Sequence, residues 1–303
     1  MILVLGYGFV AKQLVKAISL LGIDYIVYSR NGFSENHNFI CDDISNISKY
    51  SYKFSGIHTI IFTAHDTVPF TADLSPNSDT ELHLAYAKNV VEIAVSHHIP
   101  KIIYLSTCGA IYGNPIYMPV DEQHPTLPIS TYGKTKLAVE NFLLQAEKKY
   151  NIQIILVRTS NLYGAGQDIK IPQGVINHFI YNTVHRYPIT IWGDGSAIKD
   201  YLFIDDFIEA LCLLINQKIH KHTIYNIAYG TSLSLEEILD SIKYFATLPE
   251  IIYLPAKDFD VHKIVVNNNR FVEEYGWKPK TLIQDGLSKM YTYINNNNQN
   301  RRP

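Results

Sequence analysis

Residues 2–11 read ILVLGYGFVA, and the fold follows from how those ten residues divide. Ile2–Leu5 is a short unbroken apolar run, the pattern of a strand covered on both faces. Beyond the glycines, Val10, Leu14, Ile18 and Leu21 recur at helical spacing. Between strand and helix stands Gly6-Tyr7-Gly8-Phe9-Val10-Ala11, a GxGxxA turn. In a dinucleotide site, Gly6 would allow the tight turn, Gly8 the approach of a pyrophosphate, and Ala11 close helix–sheet packing. Backbone N–H groups at the helix start, at Phe9 and Val10, would form the anion site. Alone the motif is a weak signal. Placed between the first strand and the first helix, it is a strong one.

The same rhythm continues outward. Ile26–Tyr28, Phe39–Cys41, Thr59–Phe62, Ile102–Leu105 and Ile154–Val157 read as further strands. Leu82–His97 and Tyr132–Lys149 read as helices. Short buried strands alternating with helices predict an α/β fold with a doubly wound parallel sheet of the Rossmann type over residues 1–165. The pattern then loosens. Residues 166–294 are expected to form mainly a smaller, mixed α/β substrate lobe. It would hold helices at Asp205–Asn216, Leu235–Phe245 and Leu282–Ile294, and strands near Ile189–Trp192, Thr223–Ile227 and Ile251–Tyr253. A return to the large sheet is expected within residues 200–230, at Thr223–Ile227 above all. The tail 295–303 lacks apolar residues and is expected to fray.

Composition removes several function classes. The chain has 303 residues, 47% of them hydrophobic, enough for a sizeable core and against wholesale disorder. Lys plus Arg (26) nearly balances Asp plus Glu (28), so the basic excess of a nucleic-acid binder is missing. No apolar run reaches membrane-spanning length and no signal peptide is evident. Cys41, Cys108 and Cys212 lack disulfide-framework or metal-ligand spacing. The expectation is a cytoplasmic protein of a reducing compartment that contacts neither membrane nor nucleic acid. No metal site is expected from the scattered histidines, although His65 and His83 could line an active-site floor.

The second strand should end at the residue that reads the adenosine ribose. An acid there favours NAD. This chain has Ser29-Arg30-Asn31, a hydroxyl and a guanidinium suited to a 2′-phosphate, which favours NADP(H). The other reading leaves Arg30 solvated, with NAD in a relaxed ribose pocket. Asp43-Ile44 could hold the adenine, or Asp43 could simply form a turn. Downstream, Tyr132 and Lys136 stand at i and i+4 at a helix start, so they share one helical face. An ammonium there, with an oxidised nicotinamide overhead, is expected to lower the phenol pKa and make Tyr132 a proton-transfer group, with Lys136 also reaching the nicotinamide ribose. A YxxxK pair is commonplace in a chain with 22 tyrosines. Its place after Ser130-Thr131, and after a strand ending Ser106-Thr107-Cys108, gives it weight.

Together these residues resemble the extended short-chain dehydrogenase/reductase family, in the epimerase/reductase branch that acts on nucleotide-activated sugars. The matching segments are GYGFVA at 6–11, STCGAIYG at 106–113, DEQHPTLPISTYGKTK at 121–136, VRTSNLYGAGQ at 157–167, WGDGSAIKDYLFIDDFIEA at 192–210, YNIAYGTSLSLEEIL at 225–239 and YGWKPKTLIQDGL at 275–287. The resemblance implies a nucleotide-diphosphate-sugar substrate, a homodimer built on the helices near 82–97 and 132–149, and Ala64 as a further cofactor contact. It also implies substrate contacts at Asn161, Lys199 and Lys257. Trp192 would shape the base pocket or be buried between lobes. Arg158 is expected to be structural, and Asp205-Asp206 to cap the helix that follows. The chain departs from the family pattern in two places besides the ribose-reading residues. The triad hydroxyl position falls on Cys108, so either this thiol substitutes weakly or Thr107 or Ser106 turns in, Thr107 being favoured. Leu5 stands where relatives carry the first glycine of a GxxGxxG.

The resemblance implies oxidoreduction at C4 of the sugar. Ser29-Arg30 favours an NADPH-dependent 4-ketoreductase of an NDP-4-keto-6-deoxyhexose, with Tyr132 as proton donor. A 4-epimerase with tightly bound NAD is the alternative, and a non-catalytic cofactor-sensing relative a third. A dehydratase is disfavoured, because Gly109-Ala110 replaces the Asp-Glu pair that those relatives carry there.

Overall fold

A computed structural model describes all residues except 31–37, 66, 68–71, 73–75, 172, 257–260 and 300–303, together with the side chain of residue 299. The large sheet is wholly parallel. Its strands are β1 (Ile2–Leu5), β2 (Tyr25–Ser29), β3 (Phe39–Cys41), β4 (Thr59–Phe62), β5 (Lys101–Thr107), β6 (Gln153–Thr159) and, returning from the later chain, β10 (Ile224–Ile227). Their spatial order is β10-β6-β5-β4-β1-β2-β3. β10 pairs with β6 in the register Ile224↔Leu156 through Ile227↔Thr159.

Strand alternation puts successive side chains into two different cores. Leu3 and Leu5 pack into one with α2 (Pro76–Ser96) and α4 (Thr131–Tyr150). Ile2 and Val4 pack into the other with α1 (Phe9–Leu20) and α6 (Ile204–Asn216). Each fully buried Leu, Ile or Val contributes about 1.5–3 kcal/mol relative to exposure, so these apolar runs hold the sheet between two helix layers. α2 begins six residues before the expected start. Pro76 occupies its first position, where a missing N–H costs nothing, and the polar first turn hid it.

The smaller lobe has a third core around Tyr163, Phe179, Ile189, Tyr201, Leu287 and Met290. It includes β7 (Asn161–Tyr163), α5 (Val175–His185), β8 (Ile189–Trp192) and β9 (Ile198–Phe203). Further along come β11 (Ser232–Ser234), α7 (Leu235–Lys243), β12 (Ile251–Leu254) and α9 (Ile283–Gln299), whereas α8 (Asn269–Tyr275) packs Phe271 into the second core beside β10. β9 lies between β11 and β7, and β12 pairs with β8. α9 continues to Gln299, so the segment expected to fray from 295 is helical for its first five residues. The acids at 205–206 do not cap α6, whose N-cap is Phe203. Asp206 instead accepts the backbone N–H groups of Lys280 and Thr281 at 3.1 and 2.9 Å. Among the described residues, no helix is long and apolar enough to cross a membrane.

Candidate active site

The strand ends, the start of α1 and the smaller lobe enclose a cleft of about 1980 Å³. Gly6 closes the first turn at φ +96°, and a Cβ there would stand 2.9 Å from Ala64 Cα. Ala64 does not line the cleft; its backbone packs beneath the turn. Leu5, at the departure from the glycine pattern, is fully buried as the last residue of β1. Gly8 is the N-cap of α1 and offers no side-chain cap, so the first-turn N–H groups around Phe9 and Val10 open on the cleft. A Cβ on Gly8 would meet nothing within 4 Å, which leaves room for a phosphate. These features fit a dinucleotide pyrophosphate. Arg30 lines the same cleft, its Nε 4.0 Å from Asp43 Oδ2, and Ser29 ends β2 beside it.

Asp43 and Ile44 do not line the cleft. Asp43 is the N-cap of a 3-10 segment, Ile44–Lys53, where its carboxylate accepts from Ser45 N and Oγ and from Tyr86 Oη. Ile44 is 6% exposed and lies in the core under α2. Of the two readings of this pair, the structure shows the turn directly, with Ile44 packed in the core.

The helix carrying Tyr132 and Lys136 starts sharply. Ser130 caps α4 by accepting from Gly133 N at 3.2 Å. A Cβ on Gly133 would fall 2.4 Å from Ala110 O, so only glycine lets α4 sit against the short helix α3 (Cys108–Ile111). Tyr132 and Lys136 both face the cleft. Lys136 Nζ donates to Leu105 O at 2.9 Å and lies 5.7 Å from the Tyr132 ring centroid. Burial pulls Lys136 down to about 7, against the opposing pull of Glu140 and Asp79. Burial, and then the charge of Asp79, push Tyr132 up, so it rests protonated and suited to give a proton.

Thr107 ends β5 and lines the cleft. Its Oγ1 and Asn161 Oδ1 both lie 3.9 Å from where a Cβ on Gly109 would be. Cys108 does not line the cleft. It is completely buried, and its thiol donates to Arg158 O at 3.0 Å on the side away from the cleft. Burial also pushes this thiol well up. The chain turns from strand to helix at this point, so neighbouring side chains diverge. Thr107 faces ligand space and Cys108 the core of the fold.

Arg158 is structural, bound to Glu140 by Nη2–Oε2 at 2.6 Å. Asn161 lines the cleft and donates to Asp200 O at 3.0 Å. Lys199 also lines it, with its ammonium donating to Val261 O. Trp192 is 49% exposed at the cleft wall, which excludes a buried interface role. Lys257 lies outside the described residues.

Sequence reasoning missed a second uncapped helix start. α5 has Gly174 as its N-cap, no side-chain cap, and Gly174, Val175 and Ile176 on the cleft wall. The same reasoning placed His65 and His83 at the active-site floor but missed Asp79, which joins them in a network under Tyr132. His65, Asp79 and His83 bring candidate metal-ligand atoms within 4.8 Å of one another. The two Asp79 carboxylate oxygens already accept from Thr67 and Thr135, so the group is a hydrogen-bonded cluster. Ser106 Oγ, Thr159 Oγ1 and Gln167 Oε1 are buried on the cleft wall without hydrogen-bond partners, as expected of atoms a ligand would satisfy.

One cleft thus joins two helix starts able to hold phosphates with a phenol, an amine and a hydroxyl. Comparison with known proteins agrees with that geometry. A putative UDP-glucose 4-epimerase of Methanocaldococcus jannaschii is 29% identical over 302 residues, 97% of this chain and 98% of the relative. A dTDP-4-dehydro-6-deoxyglucose reductase of Escherichia coli is 26% identical over 314 residues, 95% of each chain. In structure, a UDP-glucose 4-epimerase of Thermotoga maritima solved with UDP-glucose superposes with a TM-score of 0.89, at 24% identity, over 98% of this chain and 99% of that one. Residues 2–228 match the family's pattern, covering the glycine turn, the Tyr132–Lys136 helix and the returning strand, and the protein belongs to the NAD dependent epimerase/dehydratase family of nucleotide-sugar enzymes.

Proposed function

We propose that the protein is an NADPH-dependent 4-ketoreductase acting on an NDP-4-keto-6-deoxyhexose. The observation that carries this reading is the shared cleft. One uncapped helix start, at Gly8, suits a dinucleotide and the other, at Gly174, a sugar nucleotide, with Tyr132, Lys136 and Thr107 on the same walls. When bound, the cofactor supplies hydride. Tyr132, protonated at rest, gives its phenolic proton to the oxygen at C4. Thr107 donates a hydrogen bond to that oxygen as charge develops on it. Lys136 holds the nicotinamide ribose and stabilises the phenolate left behind. Arg30 supports NADP(H), its guanidinium placed on the cleft for a 2′-phosphate. Lys199 and Asn161 would meet the substrate diphosphate, and Trp192 would stack on the base.

Similarity to the Methanocaldococcus jannaschii protein, over nearly the full length of both chains, favours a second reading: a 4-epimerase that keeps its NAD. Mass spectrometry of UDP-, dTDP-, GDP- and CDP-sugars incubated with purified protein, with and without NADPH, separates the two. The proposal expects product only with NADPH and a 4-keto substrate. Interconversion of C4 epimers without added cofactor overturns it. The homodimer belongs to the same proposal. α2 and α4 lie on one side of the sheet, and α2 leaves Leu82 and Val95 exposed. A monomeric mass at micromolar concentration would contradict it.

A further inference from the structure

Behind the Tyr132–Lys136 pair lies a buried charge that the reaction scheme does not use. Asp79, in the first turn of α2, is 5% exposed. Thr135, on α4 between the two catalytic positions, donates to Asp79 Oδ2 at 2.8 Å. Thr80 Oγ1 lies 2.8 Å from the same hydroxyl. Thr67, in the segment after β4, donates to Oδ1 at 2.7 Å and lies 3.3 Å from His65 Nε2. His83 bonds the Asp79 carbonyl at 2.7 Å through Nδ1. The His65 ring lies against His83, tilted by 30° with centroids 3.8 Å apart, and meets the Tyr132 ring edge-on at 4.9 Å. One carboxylate therefore ties α2 and the segment after β4 to the first turns of the catalytic helix.

We propose that Asp79 is a positioning residue: through Thr135 it fixes the Tyr132–Lys136 pair, and its buried negative charge favours the protonated form of that pair. This rests on the assignment of Tyr132 and Lys136 above and adds a third ionisable group to it. The bias has a direction at both partners. Asp79 adds to burial in pushing Tyr132 up, and at Lys136 it opposes burial, alongside Glu140. Among the other titratable groups facing the pair, Glu140 acts on Lys136 ahead of Asp79 but does not add to the push on Tyr132. Glu140 is matched by Arg158, the Tyr104 phenol is pushed well up by burial, and burial and Lys136 hold His65 neutral. His83 is tied to Asp79 itself.

The test separates charge from anchoring. In protein carrying ¹³C-labelled lysine and no added ligand, the Lys136 resonance, assigned with Lys136→Met, should titrate near 7. Asp79→Asn should lower that midpoint by about one pH unit. In turnover of dTDP-4-dehydro-6-deoxyglucose with NADPH, Thr135→Val should reduce kcat about tenfold with KM changed less than twofold, and Thr135→Ser should restore it. An unshifted midpoint in folded Asp79→Asn, or wild-type kcat in Thr135→Val, overturns the proposal. Should Asp79→Asn fail to fold, the Thr135 pair decides. The titration needs no turnover, so a shifted midpoint in a protein that reduces no sugar would sink the proposed function and leave Asp79 in its role.

Discussion

Replacing Thr107 by Val and Cys108 by Ala should give opposite results, although the residues are adjacent. Thr107 is on the cleft wall, and its hydroxyl is the group placed to stabilise charge at the C4 oxygen. Losing one such donor typically costs about 2.7–4 kcal/mol in the transition state, roughly 10²–10³-fold in kcat. Thr107→Val keeps the shape and the β-branch, so stability should hold. Cys108 has no exposure, and its thiol bonds only protein acceptors, Arg158 O at 3.0 Å and Asn226 Oδ1 at 3.5 Å. Cys108→Ala removes about one heavy atom from a packed core and one weak hydrogen bond, worth about 1 kcal/mol. That corresponds to a Tm lowered by about 2–4 °C, with kcat within twofold of wild type. Steady-state kinetics with NADPH and a 4-keto sugar nucleotide, beside thermal melting, measure both. A Cys108→Ala enzyme as slow as Thr107→Val would refute the assignment.

Other perturbations follow from single contacts. Arg30→Ala should raise KM for NADPH about 10- to 100-fold and leave NADH nearly unchanged, the worth of a charge-assisted hydrogen bond; equal effects on both cofactors would count against a 2′-phosphate contact. Arg158→Met should cost about 3–5 kcal/mol by stranding Glu140, which denaturant unfolding reads directly. Gly6→Ala combines a φ of +96° with a 2.9 Å clash against Ala64, and should both lower Tm and weaken dinucleotide binding by calorimetry. Lys136 titrates near 7 when folded and near 10.5 when unfolded. Between those values the unfolded chain binds more protons, so stability should rise with pH across that window, at up to about 1.4 kcal/mol per unit, and be lost as pH falls toward 7. Lys136→Met should flatten that slope in urea titrations.

The strand–turn–helix at the start of the chain was legible because it is local: an apolar run, two glycines and a helical period lie within twenty residues. The YxxxK pair was legible for the same reason. What escaped depended on direction or distance. No periodicity says which of Thr107 and Cys108 turns into the cleft, because the strand ends between them. α5 was missed because VINHFIYNTVH is rich in β-branched and amide residues and starts at a glycine in the left-handed region, without a capping side chain. The Asp79 network joins residues 65 to 135 through tertiary contacts and leaves no motif. For Asp43-Ile44 the position after a strand suits a ligand contact and a turn equally, and only the fold shows Asp43 capping the 3-10 segment and Ile44 in the core under α2.

The most direct measurement follows a deuterium atom. Purified protein is given dTDP-4-dehydro-6-deoxyglucose and NADPH deuterated at the transferable position, and the product is read by mass spectrometry and NMR. The account predicts one deuterium at C4 per NADPH consumed, lost in Tyr132→Phe while ligand binding persists. Unconsumed NADPH, or label anywhere other than C4, would contradict it.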